Sequence, residues 1–269
     1  MLKPMNDKGV IIFSPSKYSL YTLCVLKLCK IKGIPISGII ILNLFNYSRF
    51  KSEFKRDGNR LIKKIWKKFF LRAGAYKSIN RYNIAVLKEN LKIEEKSVIN
   101  YAKKNKIKVL FCNSFNESKI EIFLKELKPE ISLFTGGGII RKKIIDCFKI
   151  GIVNCHMGTL PDYRGMDVVE WPIIENNFHK MGLTTHLMDS GIDTGKIIQS
   201  KNYELDPKNQ ILECIRNDYE PIMCEMLVEA YILLKSNNFE LIDQRKIDGK
   251  QYFIMHKKLK LIAQTILTT

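Results

Sequence analysis

A chain of 269 residues, 46% hydrophobic and 27% charged, can bury a full core and has the balance of an ordinary globular protein. Its longest apolar run, Ile34 to Phe45, contains Pro35, Ser37, Gly38 and Asn43 and falls short of the about 20 residues that span a bilayer. The start shows no signal-peptide core, so a cytoplasmic location is expected, and seven cysteines without Cys-x-x-Cys spacing read as reduced thiols rather than a zinc cluster or disulfide framework. The formal charge of +18 has two readings. One is an anionic partner such as nucleic acid, a nucleotide-linked substrate or an acidic membrane surface. The other is composition alone, since the chain is rich in Ile, Lys and Asn together.

Gly9 to Phe13 reads as a first strand, Lys17 to Lys32 as a helix with Leu20, Leu23, Cys24, Leu28 and Ile31 on one stripe, and Ile36 to Leu42 as a second strand. This βαβ unit predicts a parallel sheet with a right-handed crossover. Its first loop lacks Gly-x-Gly-x-x-Gly, so a dinucleotide is not indicated. Residues 46–83 then break the alternation as a basic insertion. Between Tyr47 and Tyr82 there are 12 Lys/Arg against Glu53 and Asp57, with Leu61, Ile62, Ile65, Trp66, Phe69 and Phe70 at helical spacing. A basic amphipathic helix of this kind either grips phosphates or an acidic membrane, or packs on its own domain.

Ile84 to Leu87 reads as a weak strand, Glu94 to Lys104 as a helix, Lys108 to Cys112 as a strand and Lys119 to Leu127 as a helix. Glu130 to Thr135 is a strand running into Gly136-Gly137-Gly138, where a ligand can approach bare backbone. Arg141 to Phe148 is predicted helical, Ile150 to Cys155 a strand, and Asp167 to Asn176 a helix disturbed by Pro172. Gly182 to Met188 and the stretch from Lys196 onward are strands. Beyond Leu205 come a long helix, Gln210 to Ser236, and a final helix reaching Ile266. The expected architecture is a doubly wound, mostly parallel α/β sheet over residues 1–205, with a mainly helical extension over 206–269. Ligands of such sheets sit outside the strands' carboxyl ends.

Two stretches carry the chemistry. In Val153-Asn154-Cys155-His156, strand alternation puts Asn154 and His156 on one side at a strand's carboxyl end. Leu160-Pro161 and Arg164-Gly165 then turn the chain, keeping the pair at a rim. Downstream, Asp189-Ser190-Gly191-Ile192-Asp193-Thr194-Gly195 is a glycine-framed loop. It can bring a carboxylate to His156, orienting the ring or setting its charge. Taken singly, a strand-end Asn often caps backbone and an Asp before Thr-Gly often serves a turn.

Asn-x-His-x-x-x-Leu-Pro-x-Tyr-Arg-Gly followed by Met-Asp-x-Gly-x-Asp-Thr-Gly resembles the formyltransferases that use N10-formyltetrahydrofolate. The resemblance is dense from Glu130 to Ile198. It implies a Rossmann-like formyltransferase core and no metal. Asn154 would donate to the oxyanion, and His156 would carry protons or, as an imidazolium, stabilise the same charge. Asp193 would set the protonation of His156 and help deprotonate the amine. By the same resemblance Gly137, Gly138, Ile139 and Ile140 meet the pterin through backbone, and Gly158, Thr159, Leu160 and Pro161 form the turn beside the formyl-bearing nitrogen, with a cis bond before Pro161. Asp189 and Gly191 lie in the loop lining the pterin pocket. Arg164 meets a substrate phosphate or braces its loop. His186 reads as an interior or supporting histidine, and His179 and His256 as surface residues.

The acceptor is less constrained. Methionyl-tRNA formyltransferases usually have Ser-Leu-Leu-Pro where this chain has Gly158-Thr159-Leu160-Pro161, and their larger C-terminal barrel has no counterpart in a tail this short. The resemblance is therefore greatest to the sugar N-formyltransferases of surface polysaccharide pathways, lipopolysaccharide among them. A nucleotide-linked amino sugar is the expected acceptor, with no nucleic acid or membrane span involved. The alternatives are a tRNA-dependent enzyme, transfer to another small amine, a formate-releasing hydrolase and a binding module without turnover. A homodimer is left open.

Overall fold

Five strands, most of them apolar and carrying the β-branched residues that the pleated sheet favours, build the parallel part of the sheet. They are β1 (Val10–Ser14), β2 (Ile36–Leu42), β3 (Lys108–Cys112), β4 (Ile131–Phe134) and β5 (Gly151–His156). The short β6 (Tyr163–Gly165) leaves the sheet, and β7 (Gly182–Leu187) and β8 (Ile197–Asn202) return to it. The computed structural model describes residues 9–43, 82–136, 138–203, 211–236, 239–245 and 247–268. In the seven-stranded sheet the order is β3-β2-β1-β4-β5-β7-β8. The first five strands pair in parallel, whereas β7 and β8 run antiparallel. The mostly parallel, doubly wound sheet expected from the sequence is thus the observed one.

Side-chain alternation divides the core in two. Val10, Ile12, Ile39, Ile41, Leu133, Val153 and Cys155 face α1 (Leu20–Ile31) and, further along the chain, the long helix Leu212–Lys235. Ile11, Phe13, Ile40, Phe134 and Ile152 face the opposite layer. On the first layer also lie α2 (Ile84–Asn90) and α3 (Val98–Lys104), while α4 (Ser118–Leu127) and α5 (Lys142–Ile145) make the second. Asn154 is in register with Phe134, so it and His156 belong to the α4/α5 face, at its carboxyl rim.

Several local expectations need correction. Ile84–Leu87 is not a strand but the first turn of α2, because Asn83 accepts from Ala85 N and Val86 N at 2.9 and 3.2 Å and caps a helix there. The helix expected over Asp167 to Asn176 shrinks to α6 (Glu170–Ile174), since Asp167 adopts φ 55°, outside helical space. The tail is helical in α7 (Leu212–Lys235) and α8 (Lys257–Ile266), yet it also supplies β9 (Lys250–Tyr252), which pairs in parallel with β6. Helix α7 packs on α1 and across β4, β5, β7 and β8. Helix α8 is tied to the turn after β6 by Lys260, which reaches Asp167 and Glu170 together with Arg216 from α7. The basic insertion, apart from Tyr82 and Asn83, lies outside the described residues, as does Gly137. Among the described residues no helix is long and apolar enough to cross a membrane.

Candidate active site

The site grows from the pairing of β5 with β7. Antiparallel register places His186 opposite Asn154 and Thr184 opposite His156, so four polar side chains share one face of two neighbouring strands. His186 Nδ1 lies 2.9 Å from the Leu187 carbonyl, and its Nε2 lies 3.2 Å from Asn154 Nδ2. Among the described residues nothing accepts the second amide hydrogen.

His156 is 7% exposed. Its Nε2 lies 2.8 Å from the Tyr163 carbonyl and must donate to it, so in the neutral ring the lone pair is on Nδ1. Nδ1 in turn faces Asp193 Oδ2 at 3.4 Å. The ring therefore sits between two oxygens, and a proton arriving at Nδ1 completes both contacts. Burial pushes the His156 pKa below its ordinary value; Asp193 and the Tyr163 carbonyl push the other way, and His186 adds to the lowering.

Asp193 arrives on the loop between β7 and β8 at φ 54°, a left-handed backbone uncommon outside glycine. Its Oδ2 accepts from Gly165 N at 2.9 Å, and Oδ1 lies 3.4 Å from His186 Nε2. Burial alone would raise this carboxyl, but His186, His156 and the Gly165 N–H outweigh it and hold the pKa at about 2. Asp193 is thus a carboxylate across the working pH range.

The turn between β5 and β6 is fastened to the same strands. Leu160 N donates to Thr184 Oγ1 at 3.1 Å, Thr159 Oγ1 donates to the Lys180 carbonyl at 2.9 Å, and the Leu160–Pro161 peptide is cis. A Cβ on Gly158 would stand 2.9 Å from the Tyr163 carbonyl and 3.0 Å from His156 Nε2, so only glycine lets this turn close over the imidazole. At the end of β4, Gly138 has φ 114° and nothing within 4 Å of a would-be Cβ. Ile139 is 77% exposed while Ile140, at 2%, anchors the segment in the core. Asn116 holds this stretch by donating to the Ile139 carbonyl and accepting from Arg141 N. The segment therefore leaves Gly138 and the Ile139 side chain exposed beyond the carboxyl end of β4.

Asp189 is exposed and folds its own loop, accepting from Gly191 N and Thr194 Oγ1. A cleft of about 430 Å³ lies on the far side of that loop, lined by Phe148, Met188, Asp189, Thr194, Gly195 and Gln244 among others. The loop presents Asp193 to the histidines and Asp189, Thr194 and Gly195 to this cleft. Arg164 is 5% exposed; its Nε and Nη2 donate to Gln244 Oε1 at 3.2 and 3.1 Å, and Nη2 also to the Arg245 carbonyl. His186 is buried and supporting, and His179 and His256 are exposed. Sequence spacing did not point to Gln244, Gly165 N or the Tyr163 carbonyl. Only the Gly165 contact had a signal, a glycine closing the Tyr-Arg-Gly turn. Among the described residues no group of His, Cys, Asp and Glu has a metal-holding arrangement.

The site is thus a carboxamide, an imidazole and a carboxylate brought together at the carboxyl end of one strand of a doubly wound α/β sheet. The chain belongs to the formyl transferase family, whose model matches residues 84–230, more than half of it. In sequence it is similar to methionyl-tRNA formyltransferases. That of Clostridioides difficile is 33% identical over 137 residues, 51% of this chain and 44% of the relative. That of Thermotoga maritima is 28% identical over 163 residues, 60% of this chain and 51% of the relative. The chain thus spans about half the length of these curated relatives. In structure it resembles the N-formyltransferase from Helicobacter canadensis solved with folinic acid and dTDP-3-aminofucose, with a TM-score of 0.57 and 18% identity, over 96% of this chain and 79% of that one. Glycinamide ribonucleotide transformylase 1 from Symbiobacterium toebii gives a TM-score of 0.55 and 15% identity, over 91% and 98%. At such identities the likeness is one of fold.

Proposed function

We propose that this chain transfers the formyl group of N10-formyltetrahydrofolate to the amino group of a nucleotide-linked amino sugar. The observation that carries the reading is the convergence of Asn154, His156 and Asp193, with His186 behind them, at the carboxyl rim of β5. The folate supplies an activated formyl group. Asn154, its amide oriented by His186, donates to the oxygen on which charge develops, an interaction worth about 3 kcal/mol where such donors have been removed elsewhere. The acceptor amine attacks the formyl carbon as that carbon's bond to the folate nitrogen breaks; neutral His156 takes the proton the amine loses at Nδ1, where Asp193 Oδ2 stabilises it, and returns it to the leaving nitrogen. In this reading the segment at Gly138 and Ile139 and the Gly158–Pro161 turn receive the folate, a role supported by the exposure of Gly138 at the carboxyl edge of the sheet.

Support for a sugar acceptor comes from the Helicobacter canadensis neighbour, matched over nearly the whole of this chain and bound to folinic acid and a dTDP-linked amino sugar. A second reading, charged methionyl-tRNA as acceptor, is favoured by the sequence relatives and by the net charge of +18. Formylation of dTDP- and UDP-linked amino sugars is to be compared with that of methionyl-tRNA from about 50 to 200 mM salt, over which polyanion binding weakens steeply. Turnover of a nucleotide amino sugar with little salt dependence is expected. Turnover of tRNA alone, collapsing with salt, establishes the second reading instead.

A further inference from the structure

Gln244 lies beyond the stretch that matches the family model and makes four hydrogen bonds with its side chain. Its Oε1 accepts from Arg164 Nε and Nη2; its Nε2 donates to the Asp193 carbonyl at 3.2 Å and the Gly195 carbonyl at 2.6 Å. Both hydrogens and both lone pairs of the carboxamide are engaged, and rotating it would set its oxygen against two carbonyls and its NH2 against a guanidinium. The orientation is therefore dictated by its neighbours. Arg164, one of the two alternatives for which was a phosphate contact, is buried and commits these donors to Gln244 and the Arg245 carbonyl.

The segment around Gln244 holds Asp193 from two sides. On one side, Ile242 makes a two-way backbone bridge with Ile197, which sets Gln244 beneath the Asp193–Gly195 backbone. On the other, β9 pairs with β6, and Met166 N donates to the Tyr252 carbonyl, fixing the strand whose Gly165 N–H binds Asp193 Oδ2. The fit is close: a Cβ on Gly165 would lie 2.2 Å from the Tyr252 carbonyl oxygen, and one on Gly249 would lie 1.7 Å from that of Pro161. Asp193 itself sits at a left-handed φ that no neighbouring helix or strand imposes, so it stays there only while such contacts over-determine it.

We infer that Gln244, oriented by Arg164, is a positioning residue for the reaction: it holds the Asp193 loop so that the carboxylate meets His156. This rests on the formyl-transfer reading, with Asp193 as the carboxylate partner of His156. Misplacing a reacting group by about 1 Å costs about 100-fold in rate, so loss of the brace acts on turnover rather than on acceptor binding.

The test compares the full chain with its Gln244→Ala, Gln244→Met and Arg245→Ala variants. Gln244→Met keeps the volume and the fold without the hydrogen bonds, and Arg245→Ala removes an exposed side chain that pairs only with Asp248 among the described residues. Two measurements are made: steady-state formyl transfer, and the titration of the His156 ring by NMR without substrate. Both Gln244 variants should lose about tenfold or more in kcat with the acceptor KM within about threefold, and His156 should titrate at lower pH than in the wild type. Arg245→Ala should match the wild type in both. Wild-type kcat and an unmoved His156 titration in Gln244→Met overturn the inference. If the wild type transfers no formyl group, the functional reading fails by itself, and the His156 titration still decides whether Gln244 places Asp193.

Discussion

The two halves of the candidate site are held by different means. Asn154 and His156 stand on β5, hydrogen-bonded to β4 on one side and β7 on the other, so a sheet already required by the core fixes their backbone. Asp193 stands on a loop at positive φ, held by separate contacts from Gly165 N, Gln244 and the Asp189-centred turn. Changes to the strand side chains should therefore alter chemistry and leave geometry alone. Changes around the loop should alter geometry first and chemistry through it.

The largest effect is expected where the strand supplies the chemistry. Asn154→Ala should lower kcat by about 100- to 1000-fold with an unchanged circular dichroism spectrum, the scale seen when a donor to a developing oxyanion is removed. A rate near that of the wild type would remove Asn154 from its assigned role. Next comes Asp193→Asn, which tests the electrostatic link between the two halves. The Asp193 carboxyl, held at about 2 against an ordinary 3.8, contributes about 2 kcal/mol of stability above pH 4. A lowered carboxyl pKa means that this contribution is lost as pH falls toward 2. Denaturant unfolding should therefore separate Asp193→Asn from the wild type at neutral pH and bring them together near pH 2; equal stability at pH 7 contradicts the pairing. His156 moves in the same direction for the opposite reason. Its folded pKa lies below 6.5, so protonation favours the unfolded chain as pH drops below that value, and Asp193→Asn should depress the NMR midpoint further.

The smallest effect belongs to the outer support of the loop. Asp189→Ala removes the acceptor for Gly191 N and Thr194 Oγ1, two exposed hydrogen bonds, and should cost less than about 1 kcal/mol of stability and a severalfold drop in kcat. A loss as large as that of Asn154→Ala would show that Asp189 takes a direct part in the reaction, and the distinction between strand and loop would fail.

The same division explains what could be read from the residues alone. Strand β5, the alternation that pairs Asn154 with His156 and the glycine-framed approach of Asp193 are periodic or closely spaced features, and they announce themselves. The burial of His156 and the service of His186 to Asn154 follow from cross-strand register, which a single strand's sequence does not reveal. The helix at Ile84 was hidden because four apolar residues have no period of their own and the deciding signal was the preceding Asn83 cap. Gln244 gave no signal at all: it lies 51 residues beyond Asp193, in a stretch with no motif, and its role depends on a meeting that only the folded chain creates.

The central claim, that Asn154, His156 and Asp193 act on one reacting carbon, is tested most directly by single-turnover transfer from 13C-formyl-labelled N10-formyltetrahydrofolate to a dTDP-linked amino sugar. The wild type should pass the label to the sugar nitrogen, with Asn154→Ala and Asp193→Asn each slowed by about 100-fold or more while still binding the folate. Label transfer at wild-type rate in either variant, or none from the wild type to any amine, would contradict the account.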